Sequence, residues 1–271
     1  MAGGALADLY MPVISVVLGR LQAIAAKASW ILWDNFKDGR GLEVVARHED
    51  DVTRAIDAEM ERYIYTALRN SFEGGLLIAE EGGVYRWGDE RYVFVLDPLD
   101  GSLNYTLGIP VFTISLAAGR YKTGGLEDLE YAVLAMPSRG EIYSVGPGHP
   151  PSRNGVAIRR REKPANVAFV AMGESVPQSV YSKIASMGLK GRSLGCSSYE
   201  LLLTGLGAAA GFADLRGKLR MLDVAAALLL GRALGMEYVI FGEHVLEARG
   251  ISLLAGTREF IDELRGDRGG S

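Results

Sequence analysis

The stretch Arg91-Tyr-Val-Phe-Val-Leu-Asp-Pro-Leu-Asp-Gly-Ser102 constrains this chain most. Its apolar run, rich in β-branched and aromatic residues, reads as a strand that ends at Asp97. A carboxylate there is held at a rigid strand end. Pro98 fixes the backbone, and Asp100, three residues on, can turn back to the same side. Gly101 allows close approach of the backbone to a ligand. If Ser102 opens a helix or turn, its free N–H groups point at an anion. Asp-Pro and Asp-Gly are also ordinary turn dipeptides, and alone the segment reads as no more than a turn. Taken with its surroundings, it supplies two carboxylates for cations and N–H donors for an oxyanion.

Three further acidic features sit at element ends. Asp57 lies near a helix start, Glu80-Glu81 follow a short strand, and Asp223 precedes a helix. Singly, each has an ordinary reading as helix surface, solvated loop or N-cap. Two bare carboxylates about 4 Å apart repel by about 4 kcal/mol at an effective dielectric near 20. Three or four converge only if divalent cations neutralise them, and hard Mg²⁺ prefers all-oxygen sites.

Composition closes off other chemistries. The one cysteine, Cys196, excludes an internal disulfide and cysteine-based zinc or iron–sulfur sites. His48, His149 and His244 are far apart in sequence, so metal ligands must be oxygens. At 271 residues the chain suits one large domain or two joined lobes. A net charge of −4 disfavours non-specific nucleic-acid binding. The longest uncharged apolar stretch, Leu201 to Ala213, is too short to span a membrane. Residues Met11 to Trp33 place apolar groups at helical spacing, interrupted by Arg20 and Lys27. They read as an amphipathic helix rather than a signal peptide, which implies a cytoplasmic protein without a membrane partner.

The order of elements suggests helices and a mostly antiparallel strand set first, then an alternating α/β half. The first helix runs to about Phe36, and Lys37 to Asp51 reads as a mobile, glycine-bearing loop. Thr53 opens a second helix with Ile56, Met60, Ile64 and Leu68 on one face. Strands are expected at 76–79, 91–96, 113–118, 130–136, 140–146 and 167–171, and helices at 177–187, 198–211 and 223–234. The cluster Gly146-Pro-Gly-His-Pro-Pro151 is the candidate boundary between lobes 1–146 and 147–271. Gly205-Leu-Gly207-Ala-Ala-Ala-Gly211 looks like the glycine fingerprint of a dinucleotide-binding oxidoreductase. It follows a helical stretch rather than a strand, so close helix packing accounts for it better. Asn104-Tyr-Thr106 is a formal glycosylation sequon and reads as accidental, and Cys196 reads as a packed residue rather than a nucleophile.

Glu80-Glu81, Asp97-Pro-Leu-Asp-Gly-Ser102 and Asp223-Val-Ala-Ala226 together resemble the signature of the inositol monophosphatase family. Those are lithium-sensitive, magnesium-dependent sugar phosphatases, a superfamily that includes fructose-1,6-bisphosphatases. The resemblance spans nearly the whole chain. The stretch Asp214-Leu-Arg-Gly-Lys-Leu-Arg-Met-Leu-Asp223 resembles archaeal members, which often hydrolyse both inositol 1-phosphate and fructose 1,6-bisphosphate.

The resemblance implies a layered αβαβα sandwich, an α/β or α+β fold, and usually a homodimer. It implies that Glu80, Asp97 and the carbonyl of Leu99 hold one Mg²⁺, and Asp97, Asp100 and Asp223 a second. A third, weaker ion would use Glu80 and waters, and Mn²⁺ could substitute. Asp57 and the Ser102 hydroxyl would orient and activate the attacking water, with Glu80 on the catalytic side. The N–H groups of Gly101 and Ser102, beside Asp100, would hold the phosphate. Arg192, Gly195, Cys196, Ser197 and Arg216 would line the sugar pocket. Ser102 stands where the family commonly has Thr, Leu222 where it has Trp, and Ala79 where it has Gly; none removes a ligand. Arg216 stands where animal inositol phosphatases carry an acid, and a cation suits a second phosphate better. A 3′-phosphoadenosine 5′-phosphate nucleotidase of the same superfamily is the alternative; it would need a purine platform.

Overall fold

Apolar spacing sets the first helix, α1 (Val16–Lys37), in the computed structural model, which describes residues 15–47 and 52–266. Leu18, Leu21, Ala25, Ala28 and Leu32 form its buried stripe. Residues 11–14 of the expected helix lie outside the described residues. The expected loop 37–51 contains a strand instead: β1 (Val44–Arg47) pairs antiparallel with β2 (Val52–Arg54). The β-branched Val44-Val45 and Val52-Thr53 favour extended backbone despite the charges around them. Residues 48–51 lie outside the described residues. Thr53 therefore belongs to β2, and α2 (Ala55–Ser71) starts two residues after it. Ile56, Met60, Ile64 and Leu68 are fully buried on one face, as their spacing predicts.

The chain then builds β3 (Gly75–Ala79), β4 (Gly83–Trp87) and β5 (Tyr92–Asp100). A short helix α3 (Ser102–Thr106) follows, then β6 (Thr113–Arg120), β7 (Leu129–Met136), β8 (Glu141–Gly146), β9 (His149–Arg153) and β10 (Val156–Ala157). They form one eight-stranded sheet in the order β10-β9-β8-β7-β6-β5-β3-β4. Only β3 and β5 run parallel; every other pair is antiparallel. The Pro/Gly cluster at 146–151 turns a hairpin from β8 into β9 inside this sheet, with Gly148 supplying the positive φ of +74°. The edge strand β10 pairs only with Ser152 and Arg153, so Pro150 and Pro151 cost it no hydrogen bond. The chain passes between sheets later, after Ala157 and before Val167.

The second half comprises β11 (Val167–Val170), α4 (Gln178–Ser186), β12 (Lys190–Arg192), α5 (Ser197–Gly205) and β13 (Gly211–Leu219). It closes with α6 (Met221–Ala233), β14 (Glu237–Phe241), β15 (Ile251–Gly256) and α7 (Arg258–Leu264). Its five strands are ordered β12-β11-β13-β15-β14. The expected helix 198–211 stops at Gly205, because Gly207 turns with φ +71° and the chain goes straight into β13. A Cβ on Gly205 would lie 2.9 Å from the Cα of Gly231, so α5 and α6 meet at glycines. Gly205 ends a helix and precedes a strand, the reverse of a dinucleotide fingerprint.

Side-chain alternation sorts the residues into layers. On β5, Phe94 and Leu96 face a core with α1 and α2, while Val93 and Val95 face α5 and α6. The opposite side of α5 and α6 meets Phe212, Leu253 and Ala255 of the second sheet. That sheet's outer face packs through Val170, Ala213 and Leu254 on Val180 and Ile184 of α4 and Phe260 of α7. The result is the expected αβαβα sandwich. It explains why α6 is apolar on all sides, since it lies between two sheets. No helix among the described residues is long and apolar enough to cross a membrane.

One buried carboxylate organises the β6–β7 connection. Asp128 is 1% exposed and accepts from the backbone N–H groups of Lys122, Thr123 and Gly124 and from the Thr123 hydroxyl. Gly124 in turn accepts from Leu246 N, tying this turn to the second half of the chain. Burial alone would raise the Asp128 carboxyl, but those hydrogen bonds outweigh it and hold it below the usual range. A lowered folded-state pKa stabilises above the unfolded value and is lost as pH falls through the folded one. Asp128→Asn is therefore expected to cost about 1–3 kcal/mol at pH 7, with the gap to the unsubstituted protein narrowing below pH 4. Denaturant unfolding across pH checks it; a gap that does not change with pH contradicts it.

Candidate active site

Register places the first two acidic features together. β3 and β5 are parallel with Ala79 opposite Leu96, so the next residues, Glu80 and Asp97, emerge side by side at one sheet edge. The β5–β6 pairing then slips between Asp97 and Asp100, and this irregularity re-aims Asp100. Asp97 is 3% exposed, and its Oδ1 accepts from Leu99 N at 3.0 Å. Gly101 caps α3 with φ +93°, and a Cβ there would stand 2.9 Å from the Val111 carbonyl. The first turn of α6 brings Asp223 in from the far half of the chain. A cavity of about 930 Å³ opens over these groups. Its floor carries Glu80, Asp97, Leu99, Asp100, Gly101, Ser102 and Asp223.

Asp57 and Asp223 occupy equivalent local positions. Each is the third residue of its helix and accepts the backbone N–H of the arginine that caps it, from Arg54 and Arg220, at 2.8 Å in both cases. Their placements differ. Asp223 lines the cavity, whereas Asp57 is buried on α2 and lies outside the cavity lining.

The carboxylates repel one another in a dry place. Burial first, then the charges of Glu80, Asp100 and Asp223, holds the Asp97 carboxyl well above the usual range. Burial likewise lifts Asp223 to about 7, with Arg220 pulling it back and Glu80 pushing it up. Burial also raises Asp100, and hydrogen bonds from Ser198, Cys196 and Ser197 partly offset it. The Asp100 bonds are uneven: Oδ2 accepts from Ser198 N at 2.7 Å, the Ser198 hydroxyl and the Cys196 thiol, and Oδ1 from Ser197 N alone. Oδ1 is thus the oxygen with capacity left for a ligand.

Arg220 pairs with both Glu80 and Asp223, its Nε 3.1 Å from Asp223 Oδ1. Among the described residues, no three His, Cys, Asp or Glu side chains stand in a geometry that would hold a metal ion directly. On donor chemistry the set nevertheless fits a hard divalent cation. It is all oxygen, largely buried and self-repelling.

Cationic residues also line the cavity: Arg216, Lys218 and Arg249. Arg216 is locked in a fork on the fully buried Asp214, with Nε–Oδ1 at 3.0 Å and Nη2–Oδ2 at 2.6 Å. Gly195 and Ser197 line the cavity. Cys196 does not; it is 1% exposed beneath Asp100, and burial pushes its thiol well up. Arg192 lies on β12 and lines a separate, largely apolar cavity against α4. Asn104 of the formal sequon is buried and donates to the carbonyls of Val111 and Leu194, joining α3 to the 193–196 loop.

Sequence reasoning missed four residues that shape this site. Arg220 sits three before Asp223, the spacing of a helix-start ion pair. Asp214 sits two before Arg216 on one strand face. Glu61 and Glu200 are charges on core-facing helix stripes, each about 2–3% exposed. A charge on an apolar stripe was the available signal. Glu200 accepts from Leu194 N and fixes the 193–196 loop; burial raises its carboxyl to about 7.

A five-layer α/β sandwich with clustered carboxylates and arginines in one cavity suits a phosphomonoesterase, and similarity to known proteins supports that class. The model of the inositol monophosphatase family matches residues 14–264, and the chain belongs to that family. The chain is 28% identical over 201 residues to a fructose-1,6-bisphosphatase of Pyrococcus furiosus, covering 73% of each. It is 30% identical over 218 residues to an inositol-1-monophosphatase of Aeropyrum pernix, covering 77% of this chain and 80% of that one. The crystal structure of extragenic suppressor protein suhB from Bartonella henselae superposes with a TM-score of 0.76 at 22% identity. It covers 95% of this chain and all of that one, which shows the shared fold.

The raised Asp97 carboxyl makes a stability prediction. A carboxyl whose folded pKa lies above its unfolded value destabilises increasingly as pH rises from the unfolded value to the folded one. Asp97→Asn cannot ionise, so with a chelator at pH 8 its melting temperature should rise by at least about 2 °C. At pH 4 the difference should vanish. A lower melting temperature at pH 8 would show that Asp97 is not held against its charge.

Proposed function

We propose that this phosphatase hydrolyses inositol 1-phosphate and fructose 1,6-bisphosphate, the substrates for which two of its relatives are respectively named, and that it does so with Mg²⁺. The observation that carries the reading is one cavity with a carboxylate floor and the cationic Arg216, Lys218 and Arg249 in its lining. In this reading Glu80, Asp97, the Leu99 carbonyl, Asp100 through Oδ1, and Asp223 hold the cations, and Arg220 gives way to them. Bound Mg²⁺ neutralises charge and supplies Lewis acidity. The N–H groups of Gly101 and Ser102 hold the scissile phosphate. The Ser102 hydroxyl would orient the attacking water; the family resemblance gives its proton to Asp57, which is buried on α2 outside the cavity lining. Gly195, Ser197 and Arg216 bound the sugar side. Among the described residues that line the cavity none is aromatic, so a purine has no stacking platform there, which disfavours the nucleotidase alternative. The reading includes a homodimer and involves neither nucleic acid nor membrane.

A phosphate-release panel tests it, with inositol 1-phosphate, fructose 1,6-bisphosphate and 3′-phosphoadenosine 5′-phosphate, each with Mg²⁺ and with chelator. The first two should turn over only with Mg²⁺. Asp97→Asn should lower kcat by at least about 100-fold. Near-normal turnover of that variant at saturating Mg²⁺, or release of phosphate from the nucleotide alone, contradicts the reading.

Arg216 tests the substrate range. Arg216→Ala would strand Asp214, so the informative change is Arg216→Lys, which keeps a cation there but loses the fork. A lost charge-assisted bond to a distal phosphate should raise KM for the bisphosphate by about tenfold. KM for inositol 1-phosphate should stay within about twofold, because that substrate has no distal phosphate to meet the Arg216 N–H groups not engaged by Asp214. Equal weakening of both substrates would remove Arg216 as the distal clamp.

A further inference from the structure

Glu61 lies one helical turn beyond Asp57 on the core-facing stripe of α2 and is 2% exposed. A carboxylate in such a place is tolerable only if it is bonded. Its Oε2 accepts from Glu81 N at 2.8 Å, and its Oε1 accepts from Gly82 N and the Tyr85 hydroxyl, both at 2.8 Å. Two of those donors are backbone amides of the turn that Glu80 opens. The β3–β4 ladder ends at the Ala79–Gly83 pair, so residues 80–82 stand beyond it and are held from outside by Glu61. Gly82 closes against the same group: a Cβ there would lie 2.8 Å from Glu61 Oε1 and 1.7 Å from the Tyr85 hydroxyl. The turn therefore has one seat, and Glu61 defines it.

We propose that Glu61 is a positioning residue for the reaction: it fixes the Glu80–Gly82 backbone so that the Glu80 carboxylate is presented to Asp97 and Asp223. Because Glu61 and Asp57 share one face of one helix, α2 carries both Asp57 and the brace of the Glu80 turn. This role rests on the metal-dependent reading above. It differs from a merely structural one, because sealing the core would alter stability while leaving cation affinity unchanged.

The test is calorimetric titration of the full chain with Mg²⁺ alone, alongside steady-state kinetics. Glu61→Gln keeps the shape but cannot accept through Nε2, so one of the three bonds to it is lost. Its Mg²⁺ dissociation constant should rise about tenfold, while kcat at saturating Mg²⁺ recovers to within about threefold and KM for inositol 1-phosphate hardly moves. Amide exchange at Glu81 and Gly82 should accelerate. Gly82→Ala displaces the same turn by driving a Cβ against Glu61 Oε1 and the Tyr85 hydroxyl, and should weaken Mg²⁺ to a similar degree; it decides the matter if Glu61→Gln fails to fold. Unchanged Mg²⁺ affinity in the folded variants, whatever their melting temperatures, overturns the role. An unsubstituted protein that takes up no Mg²⁺ overturns the metal reading itself, and that control separates the two failures.

Discussion

Repulsion among buried carboxylates is the constraint around which this molecule is arranged. Glu80, Asp97, Asp100 and Asp223 face one cavity, and burial with mutual charge holds Asp97 and Asp223 well above ordinary carboxylate behaviour. No chain segment would gather them for stability alone, since each pair at close range costs energy. They are kept together by elements whose own packing is strong. β3 and β5 lie in the middle of two cores, and α6 is gripped between two sheets. The hydrophobic layers hold in place what the electrostatics would separate. Concentrated negative charge in a rigid, dry setting is also what a divalent cation binds best.

The layered sandwich solves a second problem, that of bringing distant chain segments to one place. The parallel pairing of β3 and β5 sets Glu80 beside Asp97 by register alone. The start of α5 reaches Asp100 through Ser197 and Ser198, and α6 delivers Asp223. Both helices form the middle layer, so each touches the first sheet on one side and the second on the other. Asn104 joins α3 to the loop before α5, and Glu200 holds that loop from below. The cationic residues of the cavity, Arg216, Lys218 and Arg249, come from β13 and the connection before β15.

Much of this was legible in the sequence. The abrupt change from an apolar run to Asp97-Pro-Leu-Asp-Gly, with acidic features at 80 and 223, pointed to the residues that share the cavity, because their joint order matches one family although each alone suits a turn or a cap. Helical spacing located α1 and α2 by their buried stripes. Glycines and charges hide the β1 strand, and the Pro/Gly cluster suits a lobe boundary as well as the β8–β9 hairpin, because the same residues serve hairpins and linkers alike. The end of α5 was obscured because alanine and glycine suit helix contacts and strand crossings equally.

The sequence by itself limited the donors on offer: one cysteine, three scattered histidines, and carboxylates at element ends in a family-specific order. Tertiary structure decided which groups share the cavity. It set Arg216 on Asp214, moved Arg192 to another cavity, put Cys196 beneath Asp100 and brought Arg220 between Glu80 and Asp223. It also decided that Glu61 braces the turn carrying Glu80. Ligand type is a property of single residues and survives in the string of letters. Orientation depends on strand register and on the crossing of helices far apart in the chain, and no local pattern encodes either.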